Sequence, residues 1–327
     1  MYDVITIGAA TEDVFLVNRN FTLVRSKKFS TGVGECFAFG SKVDIQDMMV
    51  DTGGGATNAA VTFRNLGFRV AALTRLGDDD AGKLVWQDLE ERGVDTSLII
   101  TDAKRRTGYS TVLLSGHGDR TILVYRGASA HFNSQEIPWH RLYTKWFYVS
   151  SLSGNERVLK AVFADAKKRG ARVAWNPGRG ELRLGLRRLR AYLAETDVLI
   201  LNRDEAAMLT GQRGAAVKKV IKALGARVRG MVAITDGAKG AYLWTPRAVF
   251  FAEKYGKPAV NTTGAGDAFG SALTAAVAKG LDVKDALRLA MMNSGSVVAQ
   301  MGAKHGLLPS MPTLTALRRV KIKKLGE

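Results

Sequence analysis

From about residue 53 onward the chain repeats one unit, a short apolar run followed by a stretch of helical period. The runs at 69–74, 146–149, 172–175, 198–201 and 231–235 read as strands. The segments at 56–67, 80–92, 155–169, 183–194, 214–224, 265–279 and 282–301 read as helices. A helix between two strands returns the chain to the same end of a sheet, so neighbouring strands run parallel. The pattern therefore predicts a three-layer α/β/α fold with a mainly parallel central sheet.

Residues 14–50 break the pattern. Their apolar residues alternate without helical period (Phe15, Val17; Phe21, Leu23; Cys36, Phe37, Phe39), and Thr31-Gly32-Val33-Gly34 interrupts them. Several short antiparallel strands are expected here, forming a small β-lid. A segment that leaves the sheet and returns at a glycine-rich turn is suited to closing over a site. A further hairpin is expected near 109–125, where 109–115 and 121–125 flank Gly116-His117-Gly118-Asp119. The expected organisation is an α/β core at 1–13 and 53–310, a lid at 14–52 and a basic tail at 311–327.

The chain of 327 residues carries 48 Lys and Arg against 30 Asp and Glu, a net charge of +18. The basic residues recur at helical spacing in several segments rather than in one recognition element. No zinc-finger, helix-turn-helix or aromatic RNA-binding pattern accompanies them. They are read as solvated faces, with no nucleic-acid partner. The single cysteine, Cys36, excludes an internal disulfide and fits a reducing cytoplasm. No apolar run approaches the ~20 residues that span a bilayer, and no secretory leader is expected at the N-terminus.

Chemistry is concentrated at helix starts. Asn261-Thr262-Thr263-Gly264-Ala265-Gly266-Asp267-Ala268-Phe269-Gly270 opens a long Ala-rich helix. Glycines there leave backbone N–H groups bare, and the helix dipole adds positive potential, which suits phosphate. Asp267 in the first turn would repel a bound phosphate, but it suits a base that takes a proton from an attacking hydroxyl. Taken alone, its stronger reading is a first-turn residue that stabilises the helix dipole. Phe269 breaks a dinucleotide fingerprint, and no Gly-Lys-Ser/Thr ending exists for a Walker A loop.

Asp51-Thr52-Gly53-Gly54-Gly55-Ala56-Thr57-Asn58 starts a second helix, where consecutive glycines admit a ligand close to the backbone. Asn58 offers a donor and acceptors suited to vicinal hydroxyls. Asn202 and Glu205 follow a strand and are three residues apart. They read either as holders of hydrated Mg²⁺ and phosphate or as a reciprocal helix cap. Thr235-Asp236-Gly237-Ala238-Lys239-Gly240 follows another strand and reads as a turn along a nucleotide or as a plain β-turn.

Taken in order, these segments resemble the ribokinase-like (PfkB) carbohydrate kinase family from Val4 to about Pro309. The first family signature is similar to Gly53 through Ala60 with Leu66-Gly67. The second is similar to Asn261 through Phe269, and the family's Asn-x-x-Glu stands between them as Asn202 and Glu205. The resemblance implies an ATP-dependent kinase of a small sugar, phosphorylating a hydroxymethyl or other alcohol group. It implies Asp267 as base and Gly264, Ala265 and Gly266 as the anion hole. Asp13, Gly53, Gly54 and Asn58 would hold the acceptor. Asn202, Thr235, Gly237, Gly240 and Asn293 would line the nucleotide, and Glu205 would hold Mg²⁺ through water. Asn261 stands where ribokinase-like relatives open with an aspartate that helps hold a monovalent cation, which leaves K⁺ dependence open. The glycine run also differs from the ribokinase pattern at Gly55-Ala56-Thr57. A nucleoside kinase of adenosine, inosine or cytidine type, or a non-catalytic sugar- or nucleoside-binding regulator, are the alternatives on the same fold. The open edge of the lid is expected to pair two subunits.

Overall fold

Residues in the first strand, Tyr2–Ile7, point alternately to two separate cores. Val4 joins one apolar cluster, while Ile5 and Ile7 join the other. Period-two alternation on a strand apolar on both sides requires cover on both faces. The computed structural model, which describes residues 1–18, 21–29, 32–115 and 120–326, supplies that cover. Helices Gly55–Asn65, Ala265–Ala278 and Val283–Val297 lie on one face. Helices Glu156–Arg169, Gly185–Ala194, Arg203–Thr210 and Val217–Gly225 lie on the other.

The central sheet has nine strands. In order across the sheet, Val70–Leu73, Tyr2–Ile7, Thr144–Val149, Arg172–Trp175, Val198–Asn202 and Met231–Thr235 run parallel. Ala241–Thr245, Ala248–Ala252 and Ile322–Leu325 continue it antiparallel. The fold is the expected three-layer α/β/α. The periodicity missed the pair Ala241–Thr245 and Ala248–Ala252, whose tight turn leaves no helix between them. The helix expected to run to 301 stops at Val297, and that expected at 183–194 begins at Gly185, at φ 75°, after a separate short helix at Arg179–Leu182.

Residues 311–327 were read as a basic tail. They contain a one-turn helix, Leu314–Leu317, and the strand Ile322–Leu325, which forms one edge of the central sheet. Lys323 and Lys324 stand on that strand, where a polar, charged edge is the usual guard against further pairing.

A second sheet of four strands stands beside the first, in the order Arg120–Tyr125, Gly108–Leu114, Thr11–Val17, Asp47–Gly53. Thr22–Arg25 and Val33–Cys36 form a separate hairpin. The turn read at Gly116-His117-Gly118-Asp119 lies outside the described residues, as does Thr31. Asp13, placed with the core from sequence, belongs to the small sheet, because Thr11–Val17 pairs there on both sides. The inner face of this sheet is small and apolar, with Phe15, Val112 and Leu114 buried against Met49 and Met301.

One close contact fixes the layer that carries the site. Helix Ala265–Ala278 is buried along most of its length, and Gly270 presses onto the sheet. A Cβ at Gly270 would stand 2.7 Å from the Tyr148 hydroxyl and 3.2 Å from Ile200 Cγ2. Only glycine lets the helix sit this close to the strand ends.

Removing residues 322–327 strips the edge strand from Ala248–Ala252. The expected cost is about 2–4 kcal/mol, from several ladder hydrogen bonds at about 1 kcal/mol each. Urea unfolding of the shortened chain checks this, and an unchanged midpoint would show that the strand adds nothing.

Candidate active site

Two helices begin at the same point. Gly264, at φ 76°, starts helix Ala265–Ala278 without a side-chain cap. Gly54, at φ 100°, starts helix Gly55–Asn65, also uncapped. First-turn N–H groups have no partner within their own helix, so both starts present positive potential. The turn at Gly264 is held by packing, since a Cβ there would stand 2.6 Å from Ala303 Cβ. Gly266 has open space where a Cβ would be, so its backbone is accessible to a ligand.

Asp267 lies where the two starts meet. Asn58 donates from Nδ2 to Asp267 Oδ2 at 2.9 Å, joining one helix to the other. A Cβ on Gly55 would come 3.3 Å from Asp267 Oδ1 and 2.9 Å from Ser150 Oγ, so the carboxylate occupies a slot that only glycine leaves free. Burial raises the Asp267 carboxyl above the usual carboxylate range, the Asn58 bond opposes the rise, and the negative charge of Asp13 adds to it. The Asn58 Oδ1 atom is buried and makes no hydrogen bond among the described residues. It is a free acceptor directed into the same region.

Asp13 faces this point from the small sheet. Thr11 Oγ1 donates to its Oδ1 at 2.8 Å. Its Oδ2 stands 2.0 Å from where a Cβ on Gly53 would be, so glycine at 53 is the condition for the carboxylate to lie there. Burial raises the Asp13 carboxyl, against hydrogen bonds from Thr11 and Ser110 and the positive charge of Lys304. The expected acceptor residues Asp13, Gly53, Gly54 and Asn58 are thus gathered with Gly264, Ala265, Gly266 and Asp267.

On the far side of Gly266 is a cavity of about 230 Å³. Thr235, Gly237 and Gly240 line it, together with Ala265 and Gly266. Phe269, Met291 and Val298 supply apolar walls, while Lys254 and Lys257 carry positive charge there. A flat base and a polyphosphate need that combination. Sequence reasoning missed Tyr255 and the two lysines, although an aromatic between lysines in an irregular segment before a glycine-rich helix start was a usable signal.

Asn202 and Asn293 do not line this cavity. Asn293 is fully buried, donating to the Ala268 carbonyl at 2.9 Å and accepting from the Leu308 N–H at 2.9 Å. Its amide is committed to fastening helix Ala265–Ala278 to the following loop. Asn202 and Glu205 form a reciprocal cap. Asn202 Oδ1 accepts from the Glu205 N–H and Glu205 Oε2 accepts from the Asn202 N–H, each at 2.8 Å. Burial raises the Glu205 carboxyl, its bond to the Asn202 N–H opposes this, and the Asp267 charge adds to the rise. Glu205 is therefore near enough to Asp267 to share its field. Asn261 is buried, with Oδ1 accepting from the Thr263 N–H at 2.7 Å and Nδ2 unpartnered among the described residues.

A buried lysine, unforeseen from sequence, stands behind the acceptor side. Lys304 Nζ donates to Asp88 Oδ2 at 2.8 Å and to Thr52 Oγ1. Burial works to raise the Asp88 carboxyl, but the Lys304 charge and the bonds from Lys304, Thr52 and Arg92 outweigh it and hold Asp88 at about 2.

A cavity, two glycine-rich helix starts and a helix-start carboxylate facing a second buried acid are thus gathered on a three-layer α/β/α fold. The model of the pfkB family of carbohydrate kinases matches residues 27–311. The chain belongs to that family, whose members transfer phosphate from ATP to a sugar hydroxyl. It is 26% identical over 332 residues to a 5-dehydro-2-deoxygluconokinase of Shouchella clausii, covering 97% of this chain and 94% of the other. It is 25% identical over 287 residues to a ribokinase of Haemophilus influenzae, covering 85% and 91%. A solved structure of an Escherichia coli protein in complex with ATP and Mg²⁺ shares the fold, with a TM-score of 0.76, 20% identity and 98% of each chain covered.

Asn293→Ala is expected to lower stability by about 2–4 kcal/mol, since it leaves a buried carbonyl and a buried N–H unpaired. The KM for ATP should change less than threefold. Chemical unfolding and steady-state kinetics check both, and a large rise in KM without loss of stability would assign Asn293 to the nucleotide instead.

Proposed function

We propose that the chain phosphorylates an alcohol group, such as a hydroxymethyl, of a small neutral sugar, with Asp267 as the catalytic base. The observation that carries this is the Asn58–Asp267 hydrogen bond at the junction of two helix starts, with Asp13 opposite. ATP occupies the cavity beside Gly237 and Gly240, with its γ-phosphoryl at the helix start formed by Gly264, Ala265 and Gly266. Asp13 and Asn58 hold acceptor hydroxyls. The attacking hydroxyl gives its proton to Asp267 as its oxygen bonds to phosphorus, and the bond to the leaving ADP oxygen breaks. Such transfer depends on position and charge stabilisation more than on covalent chemistry. Raised by burial, the Asp267 carboxyl is a better proton acceptor than an exposed aspartate.

Among the described residues no group of three or more acidic, His or Cys side chains is placed to hold a metal. That fits Mg²⁺, which keeps most of its water and takes one or two carboxylates beside substrate phosphates. Glu205 is the carboxylate in reach, acting through water, and Asn202 orients it. Bound there, Mg²⁺ neutralises phosphate charge. A monovalent cation does not fit at residue 261, since the free atom of Asn261 is an N–H donor. No helix among the described residues is long and apolar enough to cross a membrane, and we place the enzyme in the cytoplasm.

Asp267→Asn should lower kcat by at least about 10²-fold while ATP affinity holds. A mutant that keeps a tenth of wild-type kcat would remove Asp267 as the base. Stability should move the other way. A carboxyl whose folded pKa is raised contributes stability below its unfolded pKa and loses it as pH rises through the folded value. The amide should therefore raise the melting temperature at pH 7–8, with the gain fading below about pH 4.

Residues 14–52 act as a lid over the acceptor, and the outer face of their sheet pairs two subunits. Met48, Val50, Leu123 and Tyr125 are exposed on one face of this sheet, and Arg120–Tyr125 stands at its edge in the sheet order. Such an edge calls for cover. Light scattering should report a dimer that Leu123→Glu with Val50→Glu converts to monomer. Hydrogen exchange in the lid should slow only when acceptor and a non-hydrolysable ATP analogue are both present. A monomeric wild type removes the interface, and unchanged exchange removes the lid.

A further inference from the structure

Antiparallel pairing sets Asp51 directly opposite Asp13 in the small sheet. Cross-strand partners project on the same face, and like charges placed so are destabilising. Both residues are more than nine-tenths buried, where the repulsion is least screened. Asp51 uses one oxygen locally, Oδ1 accepting from the Thr52 N–H at 2.7 Å. Its Oδ2 is buried and makes no hydrogen bond among the described residues. It stands 3.4 Å from His305 Nε2, on a side chain that is half exposed. The loop is shaped around this oxygen. Gly302, at φ 85°, has no Cβ, and a Cβ there would stand 2.2 Å from Asp51 Oδ2.

We propose that Asp51 is a second acceptor-binding carboxylate, which selects neutral polyhydroxy acceptors over acceptors carrying a carboxylate or phosphate at that end. This rests on the reading of Asp13 as an acceptor contact. The unpartnered oxygen needs a donor, and a sugar hydroxyl supplies one beside the hydroxyl held by Asp13. The fixed charges near it set the selectivity. Asp13, Asp51 and Lys304 are buried, Asp88 and Arg92 lie partly buried beside them, and both cations are already bonded to Asp88. Asp13, Asp51 and Asp88 thus outnumber Lys304 and Arg92, the half-exposed His305 is the basic group beside Asp51, and an anionic group would meet a net negative field. Lys304 lies behind them, lending charge to Asp13 without reaching the acceptor itself.

The test uses the full chain with D-ribose, D-ribonate and D-ribose 5-phosphate, and with D-fructose, D-gluconate and D-fructose 6-phosphate. ADP release gives kcat and KM, and calorimetry gives binding without turnover. The wild type should favour a neutral member over its anionic counterparts by at least 100-fold in kcat/KM. Asp51→Asn should raise the acceptor KM at least tenfold, leave the ATP KM unchanged and narrow the neutral-to-anionic ratio at least tenfold. Asp51→Ser, which removes the charge with less bulk, should do the same, so one misfolded variant does not decide the matter. An unchanged acceptor KM and ratio in a folded variant overturns the proposal, as does a wild type that prefers an anionic member. A wild type that binds neutral sugars but turns none over sinks the kinase reading alone, and the calorimetric ratio then decides on Asp51. Binding of no neutral sugar overturns the Asp51 proposal as well.

Discussion

The Asn58–Asp267 hydrogen bond is the contact around which the site is built, because it joins the starts of two helices that pack on the same face of the sheet. Each start presents unpaired N–H groups, and bringing two of them together concentrates positive potential. A carboxylate at the junction answers that potential, yet burial and the facing Asp13 work against its charge. Asn58 offsets part of that cost by donating to it. The result is a carboxylate that is held, oriented and basic, with two glycine-rich turns beside it.

Absent side chains do much of the remaining work. Gly53 leaves room for Asp13, Gly55 for Asp267, Gly270 for the strand bearing Tyr148, and Gly302 for Asp51. Each is a place where one methyl group would push a functional oxygen or a whole helix aside. The loop at 302–305 links these positions, since Ala303 packs on Gly264, Lys304 reaches Thr52 and His305 approaches Asp51. The base of the lid and the phosphate end of the site are thereby anchored to the same four residues. Asn293 secures the other end of that loop through Leu308.

The excess of basic residues has a plainer explanation in the structure. Lys167 pairs with Glu195, Arg188 with Glu156 and Lys323 with Glu253, all on exposed faces far apart along the chain. Exposed pairs of this kind contribute about 0–1 kcal/mol each and are screened by salt. Their dispersal is that of solvated helix and strand surfaces.

The sequence by itself determined the layer architecture, because apolar periodicity of two and of about 3.6 residues is written locally and each period admits one kind of cover. It also marked the glycine-rich helix starts by residue type, whereas Asp267 and Asp13 took their expected roles from the resemblance to the PfkB family. It could not separate a metal-organising Asn202 and Glu205 from a helix cap, since both uses need the same spacing, and the cap geometry is present. It misjudged Asn293, whose amide is fully engaged in the core. Lys304 and Asp51 were beyond local reading. Lys304 meets Asp88 across 216 positions, and Asp51 meets Asp13 only through strand register. A buried charge looks like any surface charge until its partners are brought to it, so which ions lie inside, and which oxygen is left without a donor, was decided only by the tertiary structure.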